Sequence, residues 1–228
     1  MTIINSIMKQ LLEVCAGNMA SVEAAAQAGA RRIELCSHLQ LDGLTPPLDV
    51  LRQVRKQFPD MLIHVLIRLR EGDFVYDERE INAMERCIEA VSPWADGVVC
   101  GALTADAEVN VDALRRLVNA AQGKSFTFHR AFDVCSHPFR ALEQIIDAGC
   151  DRVLTSGGQP TAQQGMEQLR QLQQCAGSRI IIMPGGGVNA SNARQILDYT
   201  GCREIHGSCS AGTGITQVAE VRRIIASL

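Results

Sequence analysis

Two cysteines stand at matching places in two short apolar segments, one reading Glu-Val-Cys up to Cys15 and the other Glu-Leu-Cys up to Cys36. Thiolates are soft ligands that suit Cu(I), and a thioether such as that of Met183 can assist them. The matching positions therefore indicate a candidate Cu(I) site. The alternative is that both are small buried hydrophobic residues, because neighbouring strands of a barrel are staggered and need not bring the two sulfur atoms face to face.

Four charged or polar residues share the inward-facing positions of predicted strands: Glu13, Glu34, Arg68 and His129. Side chains alternate between the two faces of a strand, so the apolar neighbours of these residues point outward and the four point inward. Carboxylates beside an imidazole are the groups that acid–base chemistry uses, with Arg68 available to hold a substrate. A structural interpretation stays open, because a buried charge must be paired. In it, Arg68 neutralises the carboxylates and His129 hydrogen-bonds one of them.

Glycine-rich turns follow the last two predicted strands, with Gly186 and Gly187 after the seventh and Gly207 and Ser208 after the eighth. Glycine lets backbone N–H groups approach an anion closely, and the start of a helix adds a favourable dipole. In an α/β barrel these two loops often bind phosphate. The pattern predicts an anion site there, with Asn189 at the start of the next helix. The alternative is that these glycines only make tight turns.

The elements that must position these residues repeat along the whole chain. A short run rich in Val, Ile, Leu, Phe or Thr is followed by a turn and then by a stretch with helical period, and this unit occurs eight times. Such a repeat gives either a closed barrel or a large open sheet. The count of eight and the regular unit length favour a single-domain (β/α)8 TIM barrel over residues 1–228. The predicted strands are Leu11–Cys15, Arg32–Cys36, Leu62–Ile67, Gly97–Gly101, Ser125–Arg130, Arg152–Ser156, Arg179–Met183 and Glu204–Ser208.

Composition narrows the function classes. The chain has 228 residues, a formal net charge of −3 and 46% hydrophobic residues. This charge does not favour nucleic acid or an anionic membrane as a partner. Nine cysteines without C-x-x-C spacing indicate reduced thiols in a cytoplasmic protein. The first ten residues lack a basic cluster, and Asn5 and Ser6 interrupt their apolar stretch, so we expect no signal peptide.

Several strings in the chain go beyond these generic patterns, and together they resemble the CutC family of copper homeostasis proteins. They occur in order from about Leu11 to Ser208. They are Leu-Glu-Val-Cys at 12–15, Arg-Ile-Glu-Leu-Cys at 32–36, Gly-Leu-Thr-Pro at 43–46, Gly-Asp-Phe-Val-Tyr at 72–76, Thr-Phe-His-Arg-Ala-Phe-Asp at 127–133, Arg-Val-Leu-Thr-Ser-Gly at 152–157 and Met-Pro-Gly-Gly-Gly at 183–187. The resemblance implies a TIM barrel, a cytosolic location, self-association, and copper handling with Cu(I) at Cys15 and Cys36.

The chain departs from the family pattern in two places. Where the family usually reads Arg-Pro-Arg-Gly-Gly-Asp-Phe, this chain has Leu69 in place of the proline and Glu71 in place of the first glycine. The segment between the last strand and the last helix is also short, at Cys209–Thr216. We expect that rim of the pocket to be more open, or to be shaped by a partner subunit.

Two functions follow from the sequence. The first is a CutC-like cytosolic protein that takes part in copper homeostasis by binding Cu(I). The alternative is an enzyme that acts on a small phosphorylated or otherwise anionic metabolite. In that case Glu13, Glu34 and His129 are the acid–base candidates, and the glycine loops bind the phosphate.

Overall fold

The computed structural model describes residues 10–228, in which eight strands alternate with eight α-helices as predicted for a (β/α)8 barrel. The expectation of no signal peptide rests on residues outside that range. The strands are β1 (Leu11–Ala16), β2 (Arg32–Leu35), β3 (Leu62–Leu66), β4 (Gly97–Cys100), β5 (Ser125–Phe128), β6 (Arg152–Thr155), β7 (Ile181–Pro184) and β8 (Glu204–Gly207). The helices are α1 (Met19–Ala28), α2 (Leu48–Gln57), α3 (Glu78–Val91), α4 (Val111–Ala120), α5 (Pro138–Asp147), α6 (Met166–Ala176), α7 (Ala193–Thr200) and α8 (Val218–Ser227).

All strand pairings are parallel, and each strand from β1 to β7 pairs with its neighbour in sequence. Strand β1 also pairs with β8, which packs beside β7. The sheet therefore closes on itself, as a barrel does and an open sheet does not. The carboxyl ends of all eight strands meet at one end of the barrel, which we call the mouth.

The helices cover the outer face of the sheet and form the main core with it. Outward-facing strand residues such as Val14, Ile33 and Phe126 are buried against helix residues such as Leu51 and Leu114. This burial supplies the hydrophobic driving force of the fold. The interior of the barrel is different. Four of its apolar residues, Cys15, Cys36, Leu66 and Val99, form a small cluster separate from the main core.

Local signals set most helix ends. Asp77 and Glu80 form a reciprocal capping box at the start of α3. Gly29 and Gly201 end α1 and α7 with positive φ angles of 88° and 74°, the left-handed conformation that glycine adopts without strain. Helix α7 begins at Ala193, four residues after Asn189, which was expected at its start.

No helix among residues 10–228 combines the length and the apolar character that crossing a membrane requires.

Candidate functional site

An open cavity of about 570 Å³ lies at the mouth of the barrel and is lined by residues from seven of the eight strands or the loops that follow them. Nearly all predicted site residues line it. The predicted site residues in the lining are Cys15, Glu34, Cys36, Arg68, His129, Gly186, Gly187, Gly207 and Ser208. Glu13 is the exception, because it lies one inward position deeper on β1 and is fully buried.

The two thiols at the floor of this cavity face each other. The Sγ atoms of Cys15 and Cys36 are 3.7 Å apart, both cysteines are free, and both are buried. The prediction that these thiols are inward, close and not disulfide-bonded is confirmed. The pKa of the Cys15 thiol is raised well above its usual range by its hydrogen bond with Cys36, by burial and by the nearby charge of Glu34.

A carboxyl group and an imidazole join these thiols. Ligand atoms of Cys15, Glu34 and His206 all lie within 4.8 Å of one another. Burial is the main cause that raises the pKa of Glu34. Burial alone would lower the pKa of His206, but its contacts with Cys15, Glu13 and Glu34 outweigh burial and raise it well above the usual value. We call Cys15, Glu34, Cys36 and His206 the mouth cluster.

A second group of charges lies one inward position deeper, and Glu13 is its centre. Register places Glu13 opposite Arg32 on β2 and His206 on β8. Arg32 Nε lies 2.7 Å from Glu13 Oε2, His64 Nδ1 lies 3.1 Å from the same oxygen, and His206 Nδ1 lies 2.9 Å from Oε1. The Oε2 contacts are close charge contacts rather than aligned hydrogen bonds. Burial opposes ionisation of Glu13, but these partners outweigh it and hold its pKa well below the usual range.

The same group of charges continues to the opposite side of the barrel. Arg32 also pairs with Glu204, whose carboxylate accepts a 2.8 Å bond from Arg152 Nε. Two arginines and two glutamates thus alternate, so each buried charge has an opposite charge beside it. We call Glu13, Arg32, Arg152 and Glu204 the ion-pair layer.

The predicted partners of the carboxylates were wrong. Within residues 10–228, His129 hydrogen-bonds neither Glu13 nor Glu34, because its Nδ1 accepts the N–H of Ala131 and its Nε2 has no partner. Arg68 makes no ion pair within the part of the chain that the structure describes, and Arg32 neutralises Glu13 instead. The reason is position. Arg68 comes two residues after the end of β3, so its side chain lies at the mouth, above the depth of Glu13. The alternation that points Glu34 inward also points Arg32 inward, and this signal was available in the sequence.

Two glycines make room for the imidazoles. A Cβ at Gly97 of β4 would lie 2.6 Å from the ring of His64, and one at Gly101 would lie 2.9 Å from the ring of His129. Contacts this short do not occur between real side chains, so glycine at both positions lets the two imidazoles fit inside the barrel.

Asp133 connects two of the sequence segments that resemble the family pattern. It belongs to the 127–133 string, and its carboxylate accepts hydrogen bonds from Ser156 N at 2.9 Å and Ser156 Oγ at 3.0 Å in the 152–157 string. It also accepts a 2.8 Å bond from Arg130 Nε. Arg130 was predicted to lie in a strand, but it starts a short 3₁₀ helix, Arg130–Val134, and lines the cavity.

Gly186 and Gly187, in the loop after β7, have backbone conformations that favour glycine. Gly186 and Gly187 have φ angles of 97° and 71°. Their backbone N–H groups donate no hydrogen bond within residues 10–228. They line the same cavity as Gly207 and Ser208. The binding of an anion by these four residues stays a prediction.

The expected role of Asn189 was wrong. Its side chain accepts from Ser191 N at 2.9 Å, and its own N–H donates to the side chain of Asn192, the residue directly before α7. The N–H of Ala190 donates to the buried carboxylate of Glu220 from α8. Side chains of the protein therefore already occupy the amides before α7 that were expected to bind an anion.

Comparisons with known proteins agree with the family that the sequence strings resemble. The model of the family described as CutC family matches residues 10–211. A relative named family protein CutC from Bacteroides thetaiotaomicron is 45% identical over 201 residues, which are 88% of this chain and 81% of the relative. A relative of the same name from Xanthomonas campestris is 46% identical over 198 residues, which are 86% of this chain and 82% of the relative.

Solved structures give the same result. A chain from Streptococcus agalactiae that carries the assigned name copper homeostasis protein CutC has a TM-score of 0.83 and 32% identity, covering 87% of this chain and 98% of its own. N-(5'-phosphoribosyl)anthranilate isomerase from Pyrococcus furiosus has a TM-score of 0.62 at 11% identity, covering 96% of this chain and 98% of its own. At that identity the likeness concerns the barrel fold alone.

Proposed function

Because the chain belongs to the CutC family, we propose that it takes part in copper homeostasis by binding Cu(I) through the thiolates of Cys15 and Cys36. The observation that supports this most is the 3.7 Å separation of the two buried sulfur atoms, which come from different strands. Two soft donors held side by side are the ligand type that Cu(I) prefers over carboxylate or water.

The charges around the thiols also suit a Cu(I) ion. Two thiolates with one Cu(I) carry a net charge of −1. The raised pKa of His206 favours the cationic form of its imidazole. The Nδ1 atom of this ring contacts the carboxylate of Glu13. His206 therefore supplies a balancing positive charge beside the thiolates. The raised pKa of Cys15 means that binding must displace a proton, so affinity depends on pH.

A competition titration with a coloured Cu(I) chelator tests the proposal. The wild type should bind one Cu(I), and the Cys15→Ser/Cys36→Ser double variant should lose more than about 100-fold in affinity, since loss of an indirect partner alone costs about 10–100-fold. The matched control is Cys87→Ser/Cys175→Ser, which removes two thiols from helices. Equal affinity in all three proteins would contradict the proposal, as would a preference for Zn²⁺ held by Cys15, Glu34 and His206.

A second candidate function is an enzyme that acts on a small anionic metabolite. The observation that favours it is the cavity, because about 570 Å³ is far larger than a metal ion needs and falls in the range of small-molecule sites. Glu34 is the acid–base candidate at its floor, with a raised pKa. NMR of mixed small phosphorylated and carboxylated metabolites with the protein should show one of them converted, and Glu34→Gln should abolish the conversion. Absence of any conversion would remove this candidate.

We further propose a cytoplasmic location and self-association. The location is supported by nine cysteines that are all free. Self-association is supported by the family resemblance and by exposed large apolar side chains such as Val134 and Phe139. Sedimentation at micromolar concentration tests the second point, and a monomer would contradict it.

A further inference from the structure

We propose that Arg68 and His129 form a subsite that binds the oxyanion of a small organic acid, either a carboxylate or a phosphate group. The subsite lies on the β3 and β5 side of the cavity and does not depend on copper at the mouth cluster. It specifies the chemical group that a ligand of the second candidate function would carry.

Arg68 carries a buried charge that the protein leaves unbalanced. The residue is only 5% exposed, and no carboxylate among residues 10–228 lies within ion-pair distance of it. Its Nη atoms donate to the backbone oxygens of Leu41, Gly43 and Gly72 at 2.8, 3.1 and 3.1 Å. Three carbonyls from two loops therefore fix the guanidinium plane, and its Nε–H has no acceptor. A buried cation without a counter-charge is costly, and an anionic ligand would remove that cost.

His129 offers a second unpartnered donor. Its Nδ1 accepts the N–H of Ala131 at 3.2 Å, which assigns the proton of the neutral ring to Nε2. That Nε2 is buried and has no partner within the described residues. Burial, followed by the charge of Arg68, lowers the pKa of His129 to about 3. The ring is therefore a neutral donor at every working pH, and its N–H calls for an acceptor from outside the protein.

Phe74 contacts both donor residues. Its ring centroid lies 4.9 Å from that of His129 and 5.2 Å from Cζ of Arg68. All three residues line the cavity at the mouth. A charged donor and a neutral donor in the lining of one cavity are groups that bind an oxyanion. The rest of the cavity is free for the body of the ligand.

The other arginine of this cavity fits the role less well. Arg130 lies close to Gly186, beside the glycine loops, but its charge is already paired with Asp133 at 2.8 Å, and its side chain is 44% exposed. An anion there would compete with a carboxylate of the protein and with water. The unbalanced, buried charge belongs to Arg68.

Thermal unfolding with simple anions tests the subsite. Sodium formate, acetate and phosphate are compared with sodium chloride at matched ionic strength, on wild type, Arg68→Met, His129→Asn and Arg130→Met. At least one oxyanion should raise the wild-type melting temperature by roughly 3–5 °C over chloride at about ten times its dissociation constant. A rise with phosphate alone would identify the ligand as a phosphate ester. A rise with formate or acetate would identify it as a carboxylate.

The variants locate the effect. Arg68→Met and His129→Asn should lose the shift and keep Cu(I) affinity, whereas Arg130→Met should keep the shift. His129→Asn retains an acceptor for the N–H of Ala131, so it decides the test if Arg68→Met does not fold. The subsite is overturned if no oxyanion exceeds chloride, if His129→Asn keeps the full shift, or if Arg130→Met alone abolishes it. None of these results bears on copper binding, which the chelator titration measures separately.

Discussion

The ion-pair layer and the mouth cluster both lie in the interior of the barrel. On three strands, a member of one group stands two positions along the chain from a member of the other. On β1 the residue changes from Glu13 to Cys15, on β2 from Arg32 to Glu34, and on β8 from Glu204 to His206. In the lower set every charge faces an opposite charge, and the pKa of each glutamate is lowered. In the upper set the pKa values of Cys15 and Glu34 are raised, because no arginine offsets their burial. Pairing with arginine, rather than burial, therefore separates the structural carboxylates of this barrel from the candidate functional one.

Among variants of the two groups, Glu13→Gln should cause the largest loss in the free energy of unfolding. The change leaves Arg32 buried without half of its counter-charge, and breaking a buried pair in this way costs about 3–5 kcal/mol. Urea unfolding should show this loss. The matched control is Glu34→Gln, which leaves no arginine without its counter-charge, and it should change the free energy of unfolding by about 1 kcal/mol or less. Equal losses in the two variants would end the distinction between the layers.

His206 belongs to both groups, and its contribution should depend on pH. Its pKa is raised in the folded state, so its contribution to stability is complete below the unfolded value of about 6.5. That contribution is lost as the pH rises through the folded pKa. Hydrogen bonds to charged groups contribute about 1.5–3 kcal/mol, which sets the size of the effect. Unfolding of wild type and His206→Gln between pH 6 and pH 9 should give a steeper decline for wild type, and identical slopes would contradict the assignment.

The affinity of the mouth cluster for Cu(I) should rise with pH. The Cys15 thiol is protonated at neutral pH because its pKa is raised, and Cu(I) must displace that proton. Each proton released makes the affinity rise about tenfold per pH unit, or about 1.4 kcal/mol. Chelator competition at pH 6, 7 and 8 measures this slope. An affinity independent of pH would mean that the thiols are already ionised or are not the ligands.

Much of this arrangement can be predicted from the sequence. The repeat of eight strand–helix units gives the barrel, and alternation along β1 and β2 places Glu13, Cys15, Glu34 and Cys36 inside it. These features are local, because each follows from the period of one segment.

The partners could not be predicted, because they depend on register and on distant segments. Glu13 pairs with Arg32 rather than Arg68 because of where β2 and β3 lie relative to β1. The N–H of Ala190 is taken by Glu220, thirty residues further along, which is why the expected anion site before α7 is filled. Alternation gives the face that a side chain occupies, but not the side chain that it meets.

X-ray absorption at the copper edge on the Cu(I)-loaded protein tests whether Cys15 and Cys36 bind the metal. We expect a coordination shell dominated by two sulfur atoms in the wild type, from these two residues. We expect this shell to persist in Glu34→Gln and to disappear in Cys15→Ser/Cys36→Ser. A shell made only of nitrogen and oxygen, or a sulfur shell that survives the loss of both cysteines, would contradict the account.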